Sequence, residues 1–234
     1  MKILVFADVH GSLSALEELK KTNDFQNADI KIFLGDVLIG CSRPNECIEF
    51  LKNNNCISIL GNNDFYITKY IPKVDIKEFS QKKLEQMEYM KKILTTENKN
   101  EVLSWPMNYF LEVDNIKFHF THYMLESCEG EICVADCPIT QPTLKDRQKI
   151  YSSVDANYII FGHEHKSNCF SDESKVYYCL GSLGLRSPGC YLIIEIKDGI
   201  VNINEKTITF DINHEIELMD KAGYPYEKHK IKRN

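Results

Sequence analysis

Five times in this chain a short apolar run rich in β-branched residues ends in a polar loop carrying carboxylate, carboxamide or imidazole groups. Asp8-Val9-His10-Gly11 follows the run from Lys2 to Phe6, Gly35-Asp36 follows Ile30 to Leu34, and Gly61-Asn62-Asn63-Asp64 follows Cys56 to Leu60. Thr121-His122 follows Lys117 to Phe120, and Gly162-His163-Glu164-His165 follows Tyr158 to Phe161. Runs of this length and composition read as strands. In open α/β sheets the crevice beyond the carboxyl ends of the strands is where ligands bind. The chain is therefore predicted to bring five strand ends to one side of the molecule.

Between the first three runs the apolar spacing is helical, at Leu13, Leu16 and Leu19 and again at Cys47, Ile48 and Leu51. That predicts a βαβαβ beginning with parallel strands, with Pro44 in the first turn of the second helix and Ser42 as its cap. Residues 76–97 read as a longer polar helix with Leu84, Met87, Met90, Ile93 and Leu94 on one stripe. The pattern then turns to strands over 109–113, 117–120, 158–161, 176–180, 191–196 and 201–206, with hairpin turns at Asp114-Asn115 and Asp198-Gly199. Two strand-rich halves predict two sheets packed face to face with helices outside, in one domain spanning 1–234. Glu129 to Pro142 reads as a loop insertion, and the residues from Tyr224 onward as a frayed basic tail.

Composition bounds the partners. A formal charge of -6 gives no reason to bind nucleic acid in bulk or an anionic membrane surface. No apolar run reaches the roughly 20 residues needed to cross a bilayer. Nine cysteines, and a first strand that runs straight into Asp8, fit a reducing, cytoplasmic setting. Cys128, Cys133 and Cys137 match no paired Cys-x-x-Cys spacing and read as ordinary thiols.

Gathering four imidazoles, two carboxylates and a carboxamide in one partly dry pocket leaves polar groups unpaired unless a cation joins them. Histidine with carboxylate suits zinc, manganese, iron or nickel better than calcium. Seven donor residues exceed one tetrahedral ion with an open position, which points to two metals about 3.5–4 Å apart sharing a carboxylate. Singly the motifs are weak, since an Asp-x-His is commonly a cap or a surface pair and a Gly-Asp says less still. Their joint order along successive strand ends is what carries the reading. His119 lies within a strand pattern and reads as structural, and His214 and His229 receive no role.

The ordered set resembles the signature of the calcineurin-like metallophosphoesterases: Asp-x-His at Asp8 and His10, Gly-Asp at Asp36, Gly-Asn at Asn62, a histidine at His122, and Gly-His-x-His at His163 and His165. Resemblance implies a four-layer α/β/β/α sandwich of two mixed sheets. It implies two divalent ions, Mn2+ first and Fe, Zn or Ni as substitutes: Asp8, His10, Asp36 and His165 around one, and Asp36, Asn62, His122 and His163 around the other. Asp36 would be the bridge, and a hydroxide activated between the ions would attack phosphorus in line. Arg43 and Arg186 are candidate contacts to the anionic oxygens of a phosphate-ester substrate.

Many members of that family place a histidine where Asn63 stands here, oriented by an acidic residue like Asp64. Asparagine donates a hydrogen bond but transfers no proton near neutral pH. The small bacterial phosphodiesterases of the YfcE-like group also lack that histidine, and this chain is similar to them in length, in its Gly-Asn-x-Asp form and in a Gly-Ser loop at Gly181-Ser182. The expectation is hydrolysis of phosphodiesters. The alternatives are a phosphomonoesterase and a non-catalytic scaffold that keeps the fold.

Overall fold

Both faces of β1 (Lys2–Phe6) are apolar, and this dictates the layering. Ile3 and Val5, with Ala7 just beyond, belong to one buried cluster, and Leu4 and Phe6 to another. A strand apolar on both faces has to be covered on both. The structure is a computed structural model and describes residues 1–72 and 79–226.

One five-stranded sheet has the order β12 (Ile200–Ile208), β11 (Gly189–Lys197), β1, β2 (Ile30–Phe33), β3 (Ile57–Ser58). The other has the order β4 (Asn108–Val113), β5 (Ile116–Thr121), β8 (Tyr158–Phe161), β10 (Val176–Cys179), β9 (Asn168–Ser171). In the first sheet β1, β2 and β3 are parallel, β11 runs antiparallel to β1, and β12 runs antiparallel to β11. In the second, β5, β8 and β10 are parallel, flanked by antiparallel β4 and β9. Both sheets are mixed.

Between the sheets lie Ile3, Val5, Ile32, Leu34, Phe118, Phe120, Ile160 and Leu192. On the outer face of the first sheet Leu4, Phe6 and Phe33 meet Leu16 and Leu19 of α1 (Leu13–Lys21), Cys47, Ile48 and Leu51 of α3 (Pro44–Asn53), and Met219 of α8 (Ile212–Ala222). The short α2 (Asn23–Gln26) adds Phe25 to that layer. On the outer face of the second sheet Ile159, Phe161 and Tyr177 meet Tyr151 and the partly buried Leu144 and Ile150 of α7 (Leu144–Ile150). Burying each such side chain contributes roughly 1.5–3 kcal/mol. The result is the α/β/β/α sandwich expected from the sequence. Among the described residues no helix is long and apolar enough to cross a membrane.

Several local expectations need correcting. The stretch read as one helix over 76–97 is described as α5 (Gln81–Ile93) followed by α6 (Thr96–Ser104), while 76–78 lie outside the described residues. Leu94 ends the first and the Thr95 hydroxyl, accepting from Asn98 N, starts the second. The insertion is a loop only over 135–142: Glu131–Val134 is a strand, β7, in a hairpin with β6 (Leu125–Cys128) just upstream, and Cys128 is bonded to Cys133 across it, so these two are not ordinary thiols. The cap of α3 is Arg43, not Ser42. Of the expected tail, 227–234 lie outside the described residues.

Candidate metal centre

The parallel strands of both sheets deliver the donor loops. Asp8 and His10 follow β1, Asp36 follows β2, and Asn62 is the first residue of α4 (Asn62–Thr68) just after β3. His122 follows β5, and His163 and His165 follow β8. All except His165 are buried, and the His165 side chain is 34% exposed, so the cluster opens on that side. Asp8, His10, Asp36, His163 and His165 all have φ between 52° and 72°. Five non-glycine residues in the sparsely populated left-handed region cost of order 1–3 kcal/mol each, and such strain gathers at functional sites.

Two clusters share one carboxylate. In the first, Asp8 Oδ1 lies 3.3 Å from His165 Nε2 and 3.7 Å from His10 Nε2. The two imidazole nitrogens are 3.1 Å apart, and Asp36 Oδ2 is 3.9 Å from His10 Nε2. In the second, Asn62 Oδ1 lies 3.0 Å from both His122 Nε2 and His163 Nδ1, which are 3.3 Å from each other. Asp36 Oδ2 is 3.5 Å from that His122 nitrogen. Asp36 thus stands within reach of both clusters. Asp8 Oδ1 is buried with no hydrogen-bond donor, and the ligand atoms of Asp8, His10, Asp36 and His165 all lie within 4.8 Å of one another. An orphaned carboxylate oxygen facing two imidazole nitrogens fits a divalent cation.

Contacts behind the donors fix their orientation. His10 Nδ1 faces Ile39 O at 2.5 Å and His122 Nδ1 faces Leu34 O at 2.8 Å. Each ring is anchored outward through Nδ1 and turns Nε2 toward the centre. Tyr123 stacks on His163 with ring centroids 4.4 Å apart. The Ser182 hydroxyl donates to Asp8 O at 2.8 Å, so the Gly-Ser loop supports the first motif through its backbone.

Electrostatics differ between the two ends. Burial opposes a charge on His10, but Asp8 and Asp36 overcome it and push its pKa up to about 9. Burial likewise works against the Asp8 carboxylate, yet His165, His10 and His122 hold it well below the usual range. At His163 burial and the neighbouring His122 act together and push the pKa down to about 4. Protons and a cation compete for the same atoms.

All seven donor residues predicted from sequence stand together; the others take different places. Asn63 donates from its backbone and its side chain to Asp36. Asp64 is fully buried and accepts from the backbone N–H groups of Asp36, Val37, Leu38 and Gly61, so it orients loops instead of facing a substrate. Gly61 is required where the two loops meet, because a Cβ there would run into Asp36 Oδ1. Arg43, expected to reach substrate, instead pairs with the fully buried Glu215 and donates to Ser14 Oγ at 2.9 Å. Arg186 is exposed and donates to His165 O at 3.1 Å, at the open edge of the centre. The sequence reading missed Asp136, which accepts from Asn62, and Lys83, which pairs with Asp136. No motif announces either residue.

Two mixed sheets between helices, with acid and imidazole donors gathered at the carboxyl ends of their parallel strands, define a metal-centre α/β/β/α sandwich. The family model for calcineurin-like phosphoesterases matches residues 1–167, and the chain belongs to that family. The fold is similar to that of a hypothetical protein from Pyrococcus horikoshii OT3, at TM-score 0.78 and 15% identity over 98% of this chain and 96% of that one. It is also similar to a metallophosphoesterase from Sphaerobacter thermophilus, at TM-score 0.72 and 19% identity over 100% and 98%. An uncharacterized protein of Methanocaldococcus jannaschii is 32% identical over 122 residues, 51% of this chain. The chain spans about half the length of that curated relative, 48%.

Proposed function

We propose that this protein hydrolyses phosphoric esters with a pair of divalent ions, and that its substrates are phosphodiesters. The observation that carries the reading is the shared carboxylate: Asp36 Oδ2 lies 3.9 Å from a nitrogen of one donor cluster and 3.5 Å from a nitrogen of the other. Asp8, His10 and His165 would hold one ion, and Asn62, His122 and His163 the second. Ions bound there neutralise charge on phosphoryl oxygens and lower the pKa of water, with manganese the first choice among ions this donor set suits.

The chain's own residues do the rest. Burial of the donors keeps water from competing with them, and the outward hydrogen bonds of His10 and His122 turn their Nε2 atoms toward the centre. Arg186, at the His165 edge, meets non-reacting anionic oxygens. No imidazole stands at residue 63 to protonate a leaving oxygen, and Asn63 is committed to Asp36. That favours esters with good leaving groups and, with them, diesters over a general phosphatase.

The test is a panel of phosphomonoesters, linear and cyclic phosphodiesters and dinucleotides assayed with manganese, nickel and magnesium, with Asp36→Asn alongside. Diesters turned over faster than monoesters, and near-total loss in Asp36→Asn, are expected. Monoesters hydrolysed faster would overturn the diester reading. Wild-type activity in the variant would overturn the shared carboxylate.

A further inference from the structure

Asn62 and His163 arrive at the second cluster from different sheets, yet one residue of the inserted segment backs both. Asp136 Oδ1 accepts from Asn62 Nδ2 at 2.6 Å, and Asp136 O faces His163 Nε2 at 3.2 Å. A carboxamide whose amino end is held outward must present its oxygen inward. Asn62 Oδ1 is indeed the atom 3.0 Å from His122 and His163. An imidazole that donates through Nε2 likewise keeps its Nδ1 lone pair for the centre, and Nδ1 is the His163 atom that meets Asn62.

The Asp136 carboxylate is itself braced. Lys83 Nζ, on α5, lies 3.1 and 3.4 Å from its two oxygens. The ammonium sits 3.8 Å from the Phe79 ring centroid and 5.4 Å from that of Tyr66, which belongs to the same helix as Asn62. An exposed lysine-aspartate pair by itself is worth little. This pair differs because the oxygen that takes the lysine, Oδ1, also takes the metal-side carboxamide, and because the Lys83 and Asp136 side chains are only 26% and 19% exposed.

We propose that Asp136, braced by Lys83, is a positioning residue for the second cation, setting which end of the Asn62 carboxamide faces it. The inference rests on the reading that Asn62, His122 and His163 take an ion. It assigns a task to two segments outside the strand-end motifs, the stretch that follows the inserted hairpin and α5. It also predicts an asymmetry, since no Asp136 or Lys83 contact reaches Asp8, His10 or His165 among the hydrogen bonds and ion pairs of the described residues.

The experiment is a calorimetric titration of the metal-free full chain with Mn2+ alone, each variant checked for folding by circular dichroism. The wild type is expected to bind in two steps. Asp136→Ala should weaken the second step by about 10–100-fold, the usual effect of losing a partner behind a metal ligand, and leave the first unchanged. Lys83→Met should move the second step the same way, and Lys83→Arg should restore it. Should Asp136→Ala not fold, Lys83→Met against Lys83→Arg carries the same contrast. A second step unchanged in the folded variants overturns the positioning role while leaving the two-ion reading intact. A wild-type chain that takes up no Mn2+ overturns both.

Discussion

Asn63 holds both oxygens of the Asp36 carboxylate, its backbone N–H donating to Oδ1 at 3.0 Å and its side-chain Nδ2 to Oδ2. Asn63 is thus spent on aiming the Asp36 carboxylate. Its amide has no proton to transfer near neutral pH.

From this follows a prediction for Asn63→His. An imidazole at 63 restores a group able to protonate a leaving oxygen, an effect typically worth 10²–10⁴-fold where the leaving group is poor. The variant is expected to gain at least about tenfold in kcat/KM on alkyl esters relative to nitrophenyl esters. Steady-state kinetics on the two series checks it, and an equal change on both would count against protonation as the deficit.

The two arginines are predicted to separate cleanly. Arg43→Met strands Glu215, which is fully buried, without its countercharge. Breaking a buried pair in this way costs about 3–5 kcal/mol. Urea unfolding should show that loss while KM stays at the wild-type value. Arg186 is exposed and holds only the His165 carbonyl among the contacts described. Arg186→Ala should change stability by no more than about 0.5 kcal/mol and raise KM. The reverse pattern would return Arg43 to the substrate and take Arg186 away from it.

How much of this was legible in the sequence follows from range. The donor loops are local signals, a strand and then a polar motif, so Asp8, His10, Asp36, Asn62, His122, His163 and His165 could be named before any coordinates. The α8 helix also carries local signals, Asp211 capping its start and Gly223, at φ 65°, ending it. Contacts across the chain left no such mark. Arg43 meets Glu215 at a separation of 172 residues, and Asn62 meets Asp136 at 74. The inserted hairpin was hidden because Leu125, Glu126 and Ser127 are all exposed, so β6 lacks the alternation that betrays a half-buried strand.

Asp24 sets a prediction about acid. Burial would raise its carboxyl, but hydrogen bonds from Lys2 at 2.7 Å, Lys206 at 2.7 Å and Tyr191 at 2.9 Å outweigh that and hold it at about 2. The folded pKa is below the unfolded value of about 3.9. The stabilisation is therefore complete above about pH 5 and is lost as pH falls toward 2, amounting to about 2 kcal/mol for this shift. Asp24→Asn should lower stability at neutral pH and flatten its decline between pH 5 and 2. Urea midpoints measured across that range test it, and an unaltered slope would show that the three donors do not favour the charged form.

The strongest prediction concerns Asp64, because its replacement can be isosteric. Oδ2 accepts from Asp36 N at 2.8 Å and Gly61 N at 3.1 Å, while Oδ1 accepts from Val37 N and Leu38 N, both at 3.0 Å. Asp64→Asn keeps the shape but replaces one acceptor with a donor, and whichever way the carboxamide turns, two buried N–H groups are left facing an NH2. Each unsatisfied group costs about 1–3 kcal/mol, so a loss of about 2–6 kcal/mol is expected in chemical unfolding. Three of these bonds tie the Asp36 loop to the turn that carries Asn62, so ion binding should weaken in both clusters together. Metal titration of the folded variant checks this, and a loss confined to one binding step would mean that Asp64 does not hold the two loops as a unit.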